Sequence, residues 1–266
     1  MKAATKLKKI SLIGICFIVI FIFIFLWYLL NRFSYAEKFP FYSVKVVSDS
    51  SLTIGIIGAS WVAGAKLDSF LHHALLQKGF KNKIISSGHP GATGKLIYKH
   101  LFEENKKEHS SKFIIENSPD YCIVIGGVND AISQLGGNFY SYHMIQIIKT
   151  LLHYNIKPII ISLPEFGIKE TNDKLDYFSK NRNIITAWFN NNGQIDNIKT
   201  YRKIFEEKLA AEHLKDSIML IDFDNVCADY NKCPELYANP AHLSGKGNEK
   251  LCHIITNDLI RKINTP

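Results

Sequence analysis

The chain has 266 residues, 47% hydrophobic and 21% charged, the balance of a folded globular protein with room for one α/β domain and some extra length. The formal net charge is +8, but Lys2, Lys6, Lys8 and Lys9 crowd the amino terminus and the other cations alternate with acids in patterns such as YRKIFEEKLAAEHLK. That is the pattern of a solvated helix face; a basic stripe interleaved with aromatics is absent, which argues against a nucleic-acid partner.

In chain order, residues 1–9 read as a short basic segment. Ile10–Leu30 (ISLIGICFIVIFIFIFLWYLL) follows, 21 residues without a charge. At about 1.5 Å per residue this run spans a hydrocarbon core of roughly 30 Å. The preceding lysines, with Trp27 and Tyr28 near the far end, predict a retained single-pass anchor with its amino terminus in the cytoplasm. The alternative is a cleaved signal peptide with Ser34-Tyr35-Ala36 as its small-x-small site, secreted after cleavage near Ala36; the apolar run is longer than a usual signal core. Either reading places the rest of the chain outside the cytoplasm. Residues 31–51 form a connector and 52–266 the folded domain.

Five short runs rich in Ile and Val predict strands: Leu52–Ile57, Asn82–Ser86, Tyr121–Ile125, Lys157–Ser162 and Ser217–Ile221. They do not alternate in polarity, which suits strands buried on both faces of a parallel sheet. Amphipathic helices are predicted at Ala63–Lys78, Gly94–Glu104, Phe139–Tyr154, Thr200–Leu214 and Ser244–Ile263. This alternation argues for an α/β, flavodoxin-like, doubly wound, five-stranded parallel sheet, with any site beyond the carboxyl ends of the strands. The stretch from Lys169 to Ile198, rich in Asn and Lys, gives no clear pattern.

The residues past those strand ends carry chemistry. Gly58-Ala59-Ser60 follows the first strand, SGHPGATG the second and GVND, with Asn129 and Asp130, the third. Leu163-Pro164-Glu165 follows the fourth, and a long polar loop after the fifth reaches Asn239-Pro240-Ala241-His242. Taken singly, Ser60 reads as a cap for a helix beginning near Val62, Gly91 as turn geometry, and Asn129-Asp130 as a strand-to-helix turn with Asp130 a cap. The G-x-S-x-G elbow is not satisfied, because Val62 stands where its second glycine should be. Nor is a P-loop: five residues, not four, separate Gly58 from Gly64.

Cysteine usage fits an oxidising compartment. Cys16 lies in the apolar run, and Cys122 and Cys252 read as core residues. Cys227 and Cys233 bracket a polar loop and are a candidate disulfide. No HExxH and no His or Cys pair with metal-ligand spacing occurs, so no metal is expected.

Together the blocks GAS, HPGATG, GVND and NPAHLS resemble those of the SGNH (GDSL-like) hydrolase superfamily, in the same chain order. The resemblance implies Ser60 as nucleophile and His242 as general base. It implies an oxyanion hole built from the backbone N–H groups of Ser60 and Gly91 and the Asn129 amide. Two positions depart from the pattern: Ala59 stands where the family usually has Asp, and so does Asn239, three residues before His242. An Asn at 239 can still accept a hydrogen bond from the imidazole, which predicts a Ser–His dyad assisted by Asn239 or by a backbone carbonyl. Trp61, His89 and Glu165 are candidate pocket residues.

The function so implied is a serine esterase or deacylase that removes an acyl group, O-acetyl in the first instance, from a small molecule or a cell-surface glycan. No cofactor is expected, and the membrane is a partner through the amino-terminal helix. Two alternatives stand beside it: a glycan O-acyltransferase using the same acyl-serine, and a non-catalytic surface protein that keeps the fold.

Overall fold

The structure is a computed structural model that describes residues 14–25, 51–64, 66–104 and 110–264. The chain divides into two compact units, Met1–Glu37 and Lys38–Pro266. In the first, residues 14–25 are helical (α1) and exposed. The rest of the predicted span Ile10–Leu30, the Ser34–Ala36 cleavage site and the connector up to residue 50 lie outside the described residues. Among the described residues no helix is long and apolar enough to cross a membrane.

In the second unit, β1 (Leu52–Gly58) is followed by α2 (Ser60–Ala63), α3 (Leu67–Gln77) and β2 (Asn82–Gly88). Next come α4 (Gly94–His100), α5 (Lys112–Glu116), β3 (Tyr121–Ile125), α6 (Val128–Ile132), α7 (Gly137–His153) and β4 (Lys157–Ile161). Three helices, α8 (Ile168–Asp173), α9 (Tyr177–Asn190) and α10 (Ile198–Ala211), precede β5 (Met219–Ile221). Short 3₁₀ turns then lead to the hairpin strands β6 (Tyr237–Asn239) and β7 (His242–Leu243), and α11 (Gly245–Asn264) ends the described chain.

The sheet has the order β2-β1-β3-β4-β5, all parallel. Order reverses between β1 and β3, so the switch point lies where Gly58-Ala59-Ser60 and Gly126-Gly127-Val128 leave the sheet. The central strands are dry: Ile54, Ile56, Ile57, Ile123, Val124, Ile159, Ile160 and Ile161 are fully buried. Helix α3 packs on α11, while α4 and α10 each pack on α7, the two groups that right-handed crossovers create. Glycine is required at two positions near the switch point. A Cβ on Gly58 would meet the Ile125 carbonyl oxygen, and one on Gly88 would meet the Ala63 backbone nitrogen.

Local differences from the sequence reading have simple causes. The expected helix Ala63–Lys78 is broken, because Lys66 adopts a left-handed φ of 50° between α2 and α3. Ser217 belongs to a 3₁₀ turn, which shortens β5. The helix opened by Gly94 ends at His100. The Asn- and Lys-rich stretch holds α8 and α9.

Candidate active site

Ser60 is the first residue of α2, and its backbone faces out of the sheet because β1 ends at Gly58. The N-cap of α2 is Ala59, with no side-chain capping bond, so the capping role read for Ser60 does not occur. Its hydroxyl instead lies 2.9 Å from His242 Nε2. His242 reaches it from the β6–β7 hairpin, where Asn239 and His242 are a cross-strand pair around Pro240-Ala241. Asn239 Oδ1 lies 2.9 Å from His242 Nδ1 and accepts the Ala241 backbone N–H at 3.0 Å.

That second bond fixes the proton. A backbone N–H only donates, so the Asn239 atom facing it is the carbonyl oxygen and not the amide nitrogen. The same oxygen faces His242 Nδ1, which therefore carries the hydrogen. Nε2 is left with its lone pair towards Ser60 Oγ, the tautomer a general base requires. The hairpin itself is stapled beside the nucleophile, since Trp61 Nε1 donates to the Ala241 carbonyl at 2.7 Å. The Trp61 ring is buried edge-on to Phe223, with centroids 5.7 Å apart.

The loop after β2 borders the cavity beside Ser60 through Pro90, while Gly91 and Asn129 are not among the residues that line it. Gly91 is exposed with φ at +77°, a left-handed conformation that glycine adopts without strain, and a Cβ there would meet nothing. Asn129 Nδ2 donates to the Ala92 carbonyl at 2.9 Å. The amide carries two N–H groups, so this bond orients it while leaving one donor for an incoming oxygen. Asp130 holds the same loop from below: its Oδ2 accepts the Gly94 N–H at 2.8 Å. Asp130 thus holds the first N–H of α4, whose N-cap is Thr93, and does not cap its own helix, which Gly127 precedes. Its side chain is fully buried, its Oδ1 has no hydrogen-bond partner, and burial pushes its pKa up to about 7 against the pull of the Gly94 N–H. The sequence offered only its place in GVND as a signal for this role.

Beside Ser60 lies a cavity of about 390 Å³, lined by Ser60, Trp61, Pro90, Ala238, His242 and Asn248 among others. Trp61 reaches this cavity; His89 and Glu165 do not. The His89 ring turns away, with Nε2 3.1 Å from Ser87 Oγ and 3.0 Å from Ser111 Oγ, and it meets the His100 ring in a T-shaped contact with centroids 4.3 Å apart. Glu165 borders a separate, polar groove of about 870 Å³. Burial raises the Glu165 pKa to about 7, although Arg202 at 3.7 Å pulls it down. The groove wall is tied to the hairpin, because Gly167 N–H donates to the Pro240 carbonyl at 2.8 Å and Tyr237 Oη donates to the Glu165 carbonyl at 2.5 Å. Cys227 and Cys233 are joined by a disulfide, and Cys233 lies on the rim of that groove.

No family model matches the sequence, and none of the curated proteins does. Solved structures do. A lipase/acylhydrolase from Enterococcus faecalis aligns with a TM-score of 0.57 at 21% identity, over 79% of this chain and 96% of that one. A GDSL-like lipase from Bacteroides thetaiotaomicron aligns with a TM-score of 0.54 at 14% identity, over 79% and 89%. An acetylxylan esterase from Geobacillus stearothermophilus aligns with a TM-score of 0.51 at 13% identity, over 82% and 96%. The fold is that of the solved GDSL-like hydrolases. Within this GDSL-like fold, Ser60 opens the short helix α2 after β1, Gly91 lies on the loop after β2, Asn129 lies in the first turn of α6 after β3, and His242 lies on the β6–β7 hairpin.

Proposed function

We propose that the chain is a serine esterase that removes acyl groups, O-acetyl in the first instance, from a cell-surface glycan. The carrying observation is the line Ser60 Oγ–His242 Nε2, His242 Nδ1–Asn239 Oδ1, each step 2.9 Å. In this reading Ser60 Oγ attacks the ester carbonyl carbon while His242 Nε2 takes its proton. The oxyanion that forms is met by the N–H groups of Ser60 and Gly91 and by the Asn129 amide. One such donor is worth roughly 3–4 kcal/mol of transition-state stabilisation. His242 then passes the proton to the departing alcohol oxygen as the C–O bond breaks, leaving an acyl-serine. Water, deprotonated by His242, hydrolyses that intermediate and returns Ser60 to its starting state.

A glycan as the alcohol part is supported by the polar groove bonded to the catalytic hairpin and by the acetylxylan esterase among the structural neighbours. A glycan O-acyltransferase is the second reading, favoured by the size of that groove, which has room for an acceptor. Mass analysis of products with an acetylated donor and a sugar acceptor separates the two. The unbroken relay argues against a scaffold that has lost activity. The charge-free run Ile10–Leu30 supports an anchor with the catalytic unit outside the cytoplasm, where the Cys227–Cys233 disulfide is stable.

The test is p-nitrophenyl acetate hydrolysis by the purified full chain. Ser60→Ala is expected to reduce kcat by about 10³-fold or more. Equal rates in the two proteins would overturn the proposal.

A further inference from the structure

Helix α9 is amphipathic in the wrong sense for a helix that packs only on its own protein. Its buried residues are Asn183 and Ala187. Its outward residues are large and apolar: Tyr177 is 76% exposed, Phe178 82%, Trp188 70% and Phe189 73%, with Ile184 at 50% and Ile185 at 59%. At 100° per residue these six fall within an arc of about 140°, interrupted only by Asn181. Beside the small Ala187, the inward arc carries asparagines held by hydrogen bonds. Asn183 Nδ2 donates to the Ile132 carbonyl at 2.8 Å and to Asn172 Oδ1 at 3.2 Å, and Asn190 Nδ2 donates to the Gln134 carbonyl at 3.0 Å. The helix is therefore firmly seated, and its apolar stripe is not a slipped core face.

The exposed stripe amounts to on the order of 800 Å², above the roughly 300–600 Å² of the largest patch on a typical monomer. Its chemistry is that of a bilayer interface. Trp, Tyr and Phe share the arc, and a cation stands beyond each edge, Arg182 on one side and Lys180, paired with Asp173 at 2.6 Å, on the other. Lys174 lies just before the helix beside Asp173 and the capping Asp176, so with Lys180 and Arg182 the flanks keep a small net positive charge towards anionic headgroups. The connector of residues 31–51 has a contour length of at most about 75 Å. A chain held by Ile10–Leu30 thus keeps the folded unit tethered to the membrane at high effective concentration.

We infer that α9 docks flat on the phospholipid bilayer, its Tyr177, Phe178, Ile184, Ile185, Trp188 and Phe189 side chains entering the headgroup boundary. This rests on the reading of an anchored, extracytoplasmic chain. Because the inward face of α9 holds the end of α6, which carries Asn129, docking fixes the site's distance from the lipid surface. The esters it meets first are then those presented at that surface.

The experiment places the full chain in nanodiscs of phosphatidylcholine and phosphatidylglycerol, with plain or brominated acyl chains. The chain has three tryptophans, Trp27, Trp61 and Trp188, so the difference between wild type and Trp188→Phe isolates the emission of Trp188. At least half of that emission is expected to be quenched by bromine. The double variant Phe178→Ser/Phe189→Ser should abolish the quenching and leave turnover of soluble p-nitrophenyl acetate within twofold. Trp188 emission indifferent to bromine overturns the inference, and so does shielding from acrylamide without bromine quenching, which would mean a second copy or a protein partner on this face. Retention of the double variant in the nanodisc fraction reports the anchor alone, so the anchor and the docked helix fail separately.

Discussion

Replacing Asn239 by Asp tests the relay at its weakest point. The substitution keeps the oxygen that accepts from His242 Nδ1 at 2.9 Å and from the Ala241 N–H at 3.0 Å, and adds one negative charge. While the imidazole is neutral the gain is small. Once His242 has taken the Ser60 proton, the bond becomes charge-assisted and about twice as strong. Two charges at this spacing interact by about 1–4 kcal/mol between bulk water and a protein surface, and Asn239 is exposed, which selects the lower half of that range. A gain of about 1–2 kcal/mol confined to the transition state raises kcat roughly 5- to 30-fold with KM unchanged. Asn239→Ala removes the acceptor and frees the imidazole to change tautomer, so kcat should fall by at least about tenfold. The assay is steady-state hydrolysis of p-nitrophenyl acetate by the three proteins, with circular dichroism to show that each is folded. An Asn239→Asp protein that is folded and no faster than wild type would refute the role assigned to Asn239.

Asp130 links stability to pH. Its folded-state pKa is raised to about 7, so the folded chain holds the proton more tightly than the unfolded one between about pH 4 and 7, and stability falls as pH rises through that window. The full cost above pH 7 is on the order of 4 kcal/mol. Asp130→Asn still accepts the Gly94 N–H and does not ionise, so urea denaturation should show the variant gaining on wild type by a few kcal/mol between pH 5 and pH 8; parallel pH profiles would contradict this. Trp61→Phe keeps the packing on Phe223 but leaves the Ala241 carbonyl without its donor. A loss of about 1–2 kcal/mol in stability and about tenfold in kcat is expected, read by thermal unfolding and steady-state kinetics.

The parts of the fold that were legible in the sequence are those where burial is uniform. Runs such as YCIVI and KPIII are apolar because both faces of β3 and β4 are covered, and they stand within a residue of their expected bounds. The blocks past the strand ends were legible because the switch point gathers them and little else. The stretch holding α8 and α9 was not, because the buried residues of α9 are only Asn183 and Ala187 while its large apolar residues face out, so a search for a buried apolar stripe finds the wrong face. His89 drew attention through its closeness to Gly91 along the chain, yet the hydroxyls of Ser87 and Ser111 turn its ring into the interior. Glu165 stands past β4 as the topology requires, but the Tyr237 bond and Arg202 hold it on the groove rather than beside Ser60. The bond from Trp61 to Ala241 spans 180 positions and has no local signature.

The central claim is that Ser60 is a nucleophile activated by His242. A fluorophosphonate probe reports it directly, since it forms a covalent adduct only with an activated serine. Incubated with the full chain, it should lose fluoride and add the mass of one probe less HF, and peptide mapping should place the adduct on Ser60; His242→Ala should suppress labelling. An adduct on another residue, or labelling of Ser60 that persists undiminished in His242→Ala, would contradict the account.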